Sequence, residues 1–435
     1  MPPLPDFVDN IQSPVLELDP GWKIDDFSDR KSEKPVSDIG KGMPYLGDEE
    51  GLRYRAYISI PEDFRNKILL LRFDRVGCIA TVRVDGTFIR NHYGGYTQWD
   101  CDITGVAGNK HGIEVQLNLQ ERQGELSPYA KAGVFGKLRL IALPFSYIRS
   151  FYTEPEKDSE GNYSLNVYCE TVLENKEEEY ALKAFITDQD SVDIAAADLN
   201  INDTRHRIFC GKVREWDSEH PNLYRLKLQL MKGGKTIEEI VRYTGFRTIE
   251  MNSGEIAWNG RPLKLRGINY REPLLNEPGR DIRRDLMLFK QANINYIRGL
   301  FYPFSDELLS LCDEMGFYTE NMAPFWEVET QARPTQNAPE YRDAYLAQLS
   351  EMLLSGFSHV SVAIWSLGSD STWGVNFREG YRLIKAIDGI RPVNFHFPMS
   401  IPEEEPQMDV WSVAHVDYRL PLDKHYDNMI IFHTH

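Results

Sequence analysis

At Asn252 the texture of the chain changes, and that change limits what it can fold into more than any other feature. Before it, from about Arg53, the sequence reads as short strands separated by turn residues: Arg53 to Ile60, Ile68 to Asp74, Ala80 to Val84 and Ile113 to Leu119. Strands at that spacing, with no helix between them, predict a sandwich or a barrel. Asp85-Gly86, between two such runs, is a dipeptide of tight hairpins. A second strand-only block runs from Ile148 to about Glu250, alternating clearly in Tyr163 to Cys169 and Leu223 to Leu230. Its length suits an immunoglobulin-like sandwich, with the charged stretch Glu154 to Gly161 as an early loop.

After Asn252 apolar strands alternate with amphipathic helices. The strand candidates are Leu263 to Asn269, Asn295 to Phe301, Phe317 to Asn321, Ser361 to Gly368, Pro392 to Phe397, Asp409 to Ala414 and Met429 to Thr434. Asp281 to Ala292 has helical apolar spacing behind an acidic start. Such alternation means parallel β/α. Seven candidates without a Gly-rich phosphate loop favour a (β/α)8 barrel lacking its last unit, since the 184 residues from Asn252 to His435 fall short of the ~250 of a complete barrel. The expected division is 1–146, 147–249 and 250–435.

Composition narrows the partners. A net charge of -17 lacks the basic footprint that replaces phosphate counterions, which excludes nucleic acid. No apolar run approaches the ~18 residues of a membrane span. Met1 to Asn10 is acidic and Pro-rich, without the basic start and apolar core of an export signal, so a cytoplasmic protein is expected. The five cysteines are scattered, with no C-x-x-C pair for zinc or redox work, and no cofactor is expected. A neutral small molecule fits this composition better than a polyanion.

Several separated blocks, in order, resemble glycoside hydrolase family 2, the β-galactosidase and β-glucuronidase lineage. In the first domain they are Tyr54 to Pro61, Leu71 to Val76, Val84-Asp-Gly86 and His92-Tyr-Gly-Gly-Tyr96 leading to Asp102-Ile-Thr104. Trp216 to Tyr224 and Gly245 to Ile249 follow, then Asn259 to Asn269, Leu311 to Gly316 and Ile364 to Gly368. The resemblance implies a jelly roll, an immunoglobulin-like sandwich and a barrel. It also implies a glycan or β-glycoside as the ligand and leaves a homo-oligomer open.

Retaining glycosidases need a nucleophile and an acid/base carboxyl about 5–5.5 Å apart. In the family the acid/base is the Glu of a W-S-L-G-N-E run ending the fourth barrel strand. Here that run reads Trp365-Ser-Leu-Gly-Ser369-Asp370, so Asp370 stands at the acid/base position one methylene short, with Ser369 replacing the Asn that binds the sugar 2-hydroxyl. The nucleophile position, at the end of the seventh strand, falls on His433, or on Phe432 one register earlier; neither is a carboxylate. His433 and His435 supply two potential metal ligands without a third, and no metal is expected. Phe301 stands where the family has a His, and Asn321-Met322, preceded by Glu320, where the galactosidases have Asp-Glu. Asn269, Arg298, Trp365 and Trp411 match a barrel interior. The substrate-binding set expected from the resemblance is therefore Ser369, Phe301, Asn269, Trp365, Trp411 and Glu320. Two readings follow: a relative with weak or no hydrolysis that binds a glycan, or an active retaining exo-β-glycosidase of which this chain is a fragment, using Asp370 with Glu320 or Asp409 standing in for the nucleophile.

Overall fold

Strand alternation in the first block is realised as antiparallel sheets of four and six strands facing each other. Gly112–Gln120 buries every second residue, the pattern of a strand with one face in a core. Trp22, Tyr54, Phe73 and Trp99 fill the space between the sheets. Asp85 (φ 47°) and Gly86 (φ 80°) turn the chain from Ile79–Val84 into Thr87–Tyr93, the paired positive φ values of a type I′ hairpin. This computed structural model describes residues 15–18, 21–26, 33–35, 51–120, 127, 131–252, 255–275, 277–326, 328, 335–396, 400–402, 404–405, 408–414 and 430–434. At 25–26, 33–35, 51, 252, 411–414 and 430–434 it describes the backbone alone.

The second block forms a three-stranded sheet (Tyr147–Lys157, Tyr163–Val172, Arg205–Gly211) against a four-stranded one (Asp193–Leu199, Tyr180–Thr187, Tyr224–Lys232, Lys235–Thr244). That strand count belongs to a constant-type immunoglobulin sandwich. The loop expected from Glu154 begins only after Lys157. Glu154 pairs with Asn166 and Lys157 with Tyr163, and Asn166 Nδ2 donates to Glu156 at 3.1 Å, so cross-strand partners hold these charged residues in the ladder.

Beyond residue 255 seven strands lie side by side in sequence order and parallel: Gly267–Tyr270, Tyr296–Gly299, Tyr318–Met322, Val362–Ser369, Val393–His396, Val410–Ala414 and Ile430–Thr434. The helices Ile282–Gln291, Asp306–Met315, Arg342–Gly356 and Val375–Ile387 fill the first four crossovers, giving the strand-and-helix wall of a TIM barrel. Asp281 caps the first helix by accepting from the Arg284 N–H, and Ser305 caps the second by accepting from Leu308, replacing bonds that a helix start lacks. The first strand starts at Gly267 rather than at Leu263. Leu263 and Leu265 pack instead against the cluster of Trp216, Trp258, Tyr318, Ile364 and Val410, which plugs the lower end of the barrel.

The first sandwich is docked on the barrel through His92 to Tyr96. His92 stacks on Trp99 and points Nε2 at Glu351 of the third barrel helix, 3.1 Å from each oxygen. Gly94 (φ 111°) leaves no room for a side chain, since a Cβ there would stand 2.1 Å from the Gln348 amide carbon. Tyr96 stacks on Tyr302, which follows the second barrel strand. Beside it Arg75 Nη2 donates to Glu272 at 2.7 Å, both side chains buried. A buried pair of this kind costs desolvation and holds only with further hydrogen bonds. Here Glu272 also accepts from Ser305 N and Oγ.

Candidate active site at the barrel mouth

Side chains alternate between the inside of a barrel and its helix-covered outside, so register decides which residues can meet. Asn269 pairs with Arg298, Arg298 with Glu320, and Glu320 with Ile364, which puts these four on the inner face. Ser366 and Asn394 continue it. Trp365 pairs with Val393, and both belong to the cluster between strands and helices.

The fourth strand would carry Ser369 to the outside if it stayed regular. It does not, because four residues, Ser366 to Ser369, are set against three, Asn394 to His396, on the next strand. This bulge lies at Gly368, whose φ of 139° and whose approach to Phe325 O, 2.6 Å from where a Cβ would stand, both demand glycine. Ser369 is thereby turned inward beside His396. Asp370 follows at φ 50° and is exposed, and its Oδ2 accepts from Ser369 Oγ at 3.0 Å.

Below this mouth lies a buried polar layer. Glu320, 1 % exposed, accepts from Tyr296 Oη, from Asn394 Nδ2 at 2.9 Å and from His396 Nε2 at 2.6 Å. Arg298 Nη2 donates to His396 Nδ1 and to Ser369 Oγ, the latter at 3.3 Å. A chain of contacts therefore runs from Glu320 through His396, Arg298 and Ser369 to Asp370. Burial, reinforced by the Glu320 charge, holds the Tyr296 hydroxyl well above the usual tyrosine range, so it stays a donor.

Aromatic residues stand to one side of Asp370. Phe301, at φ 75°, meets Trp326 edge-on with ring centroids 4.7 Å apart, and the Trp326 backbone is bridged to Ser369. Phe301 and Asp370 are both non-glycine residues held at positive φ, a strain that concentrates at ligand sites.

The mouth thus gathers Asp370, Ser369 and Phe301, with Asn269 exposed on the same inner face of the first strand. Two expectations need correction. Trp365 is fully buried on the outer side of the wall, where its Nε1 donates to Asp388 at 2.8 Å, because strand alternation turns it away from the lumen. Glu320 is inside but sealed in the polar layer, where its neighbours already occupy it. Asp409, the other stand-in acid, precedes the sixth strand at the end opposite the mouth and accepts from Lys385 and from Val393 N. Trp411 pairs in register with Phe395 and Ile431, and His433 with Val413; their side chains lie outside the described residues. His396, Asn394 and Trp326 were not among the sequence candidates.

Known proteins agree with this architecture. Residues 249–424 match the model described as "Glycosyl hydrolases family 2, TIM barrel domain" and residues 146–247 that described as "Glycosyl hydrolases family 2". The chain belongs to glycoside hydrolase family 2. It is 26% identical to a β-galactosidase of Vibrio vulnificus over 79% of its own length and 35% of that protein's. It is likewise 26% identical to a putative β-glucuronidase of Formosa agariphila, over 85% of this chain and 46% of the other. The chain thus spans less than half the length of either relative. A β-glucuronidase from Ruminococcus gnavus, solved in complex with D-glucaro-d-lactam, superposes with a TM-score of 0.82 at 20% identity, covering 98% of this chain and 84% of that one.

Proposed function

We propose that this chain is a glycan-binding member of family 2 with weak or no hydrolysis, its three domains meeting near 146/147 and 249/250. The observation that carries the reading is the state of the carboxylates. Asp370 reaches the mouth, but among the described inner-face strand residues the other carboxylate is Glu320, which is sealed beneath Arg298 and His396. The family's nucleophile position carries Phe432 or His433. A retaining mechanism needs a second carboxylate able to reach the anomeric carbon; Asp370 alone at best protonates a leaving group. Ser369, Asn269 and the Phe301–Trp326 pair supply what binding requires: a hydroxyl, an amide and flat apolar surface for the C–H face of a sugar.

Purified protein assayed against nitrophenyl β-galactoside and β-glucuronide is expected to show turnover far below the ~10 per second typical of enzymes, unchanged by Asp370→Ala. Turnover near that value, abolished by the substitution, would overturn the reading in favour of an active glycosidase.

A further inference from the structure

Away from the mouth, a cavity of about 260 Å³ opens at the seam between the first sandwich and the loops after the first two barrel strands. We propose that it is a second binding site, for a neutral polyhydroxylated ligand the size of a single sugar ring. Its size is the first argument. It falls just short of the ~300–1,000 Å³ that drug-sized ligands occupy, room enough for one ring.

Charge is the second. The cavity is lined by four basic and four acidic side chains, and most are already engaged with one another. Arg139 donates to Asp74 at 2.9 Å, Arg280 to Glu307 at 2.7 Å, and Arg75 to Glu272 at 2.7 Å. Asp306 is paired with His359 at 3.1 Å. A wall so balanced offers no net field to an anion or a cation.

The third argument is what remains unspent. Thr97, one of the residues lining the cavity, is 3 % exposed, and among the described residues its hydroxyl has no hydrogen-bond partner. The Nε–H of Arg280, another lining residue, is likewise buried and has no partner among the described residues. Buried groups left without a partner are costly, so a ligand carrying both donors and acceptors gains by satisfying them. Phe135, its ring backed by Tyr96, gives with Phe304 the apolar surface against which a sugar face packs. The walls are pre-formed, since the stacking of Tyr96 on Tyr302 and the Arg75–Glu272 pair join the two bodies around them.

The test titrates methyl β-D-galactopyranoside and methyl β-D-glucopyranoside into the full chain by ligand-observed NMR, with thermal melts confirming that each variant is folded. Leu275→Trp fills the cavity from its rim; Thr97→Val removes the hydroxyl at constant shape. Asp370→Ala reports on the mouth alone. Besides any binding at the mouth, a saturable component is expected that survives Asp370→Ala, disappears in Leu275→Trp and weakens several-fold in Thr97→Val. Binding unaffected by Leu275→Trp and by Thr97→Val overturns the proposal, as does the lack of any saturable signal up to about 100 mM, where a Kd of about 1 mM would be saturated. Loss of all binding in Asp370→Ala alone would place the ligand at the mouth, refuting the seam site while leaving the glycan-binding reading intact.

Discussion

His359 sits under the barrel wall between two carboxylates, with Nδ1 2.6 Å from Asp313 and Nε2 3.1 Å from Asp306. Burial works against its charged form, but the Asp313 charge and the hydrogen bonds to both acids outweigh it and lift the imidazole to about 9. Asp313 is the main partner, because Asp306 is half open to solvent whereas Asp313 is buried. An unfolded His titrates near 6.5, so the folded-state value is the raised one. The pair's contribution is complete below about pH 6.5 and is lost as pH rises through about 9. Denaturant unfolding should show the wild type losing roughly 3 kcal/mol more than His359→Leu between those limits; parallel pH profiles would show that His359 carries no such charge. A second residue-scale expectation concerns Gly316, which ends the second barrel helix at φ 75° with Ser218 O 2.4 Å from where a Cβ would stand. Gly316→Ala should destabilise by about 1–3 kcal/mol, read as a lowered unfolding midpoint. An unchanged midpoint would mean that the Ser218 loop gives way freely.

At the scale of elements, the seven barrel strands were legible because apolar runs between helix signals need no tertiary information. Residue roles within them were only partly legible. Trp365 and Asp370 belong to one run, yet strand alternation sends the indole outward and a bulge at Gly368 turns Ser369 in. Nothing in the local sequence marks that bulge beyond the glycine itself. His396 escaped notice because its partners are remote: Glu320 lies 76 residues away and Arg298 lies 98. A lone His inside an apolar strand looks like core. The Arg75–Glu272 bridge, 197 residues apart, was equally invisible, and it makes a prediction about how the sandwich sits on the barrel. Glu272→Ala strands a buried guanidinium and two Ser305 donors and should cost about 3–5 kcal/mol. Glu272→Gln keeps the shape and should cost less. Equal losses in the two variants, measured by chemical unfolding, would mean that the bridge contributes through packing rather than charge.

In the whole molecule, two sandwiches and a parallel strand-and-helix wall keep the scaffold of family 2, and the proposal of weak or no hydrolysis rests on what that scaffold presents at the mouth. On that proposal, Asp370 at the mouth, the sealed Glu320 below it and the Phe301–Trp326 flank, the groups gathered there among the described residues, would hold a sugar better than cleave one. The measurement that bears on this most directly is the intact mass of the protein after incubation with dinitrophenyl 2-deoxy-2-fluoro-β-galactoside and the corresponding glucuronide. In a retaining enzyme such compounds leave the sugar esterified to the nucleophilic carboxylate, the covalent intermediate of that mechanism. The mass is expected to stay that of the free chain. A stoichiometric glycosyl adduct, mapped to a carboxylate by peptide sequencing, would show that a working nucleophile reaches the mouth and would contradict the account.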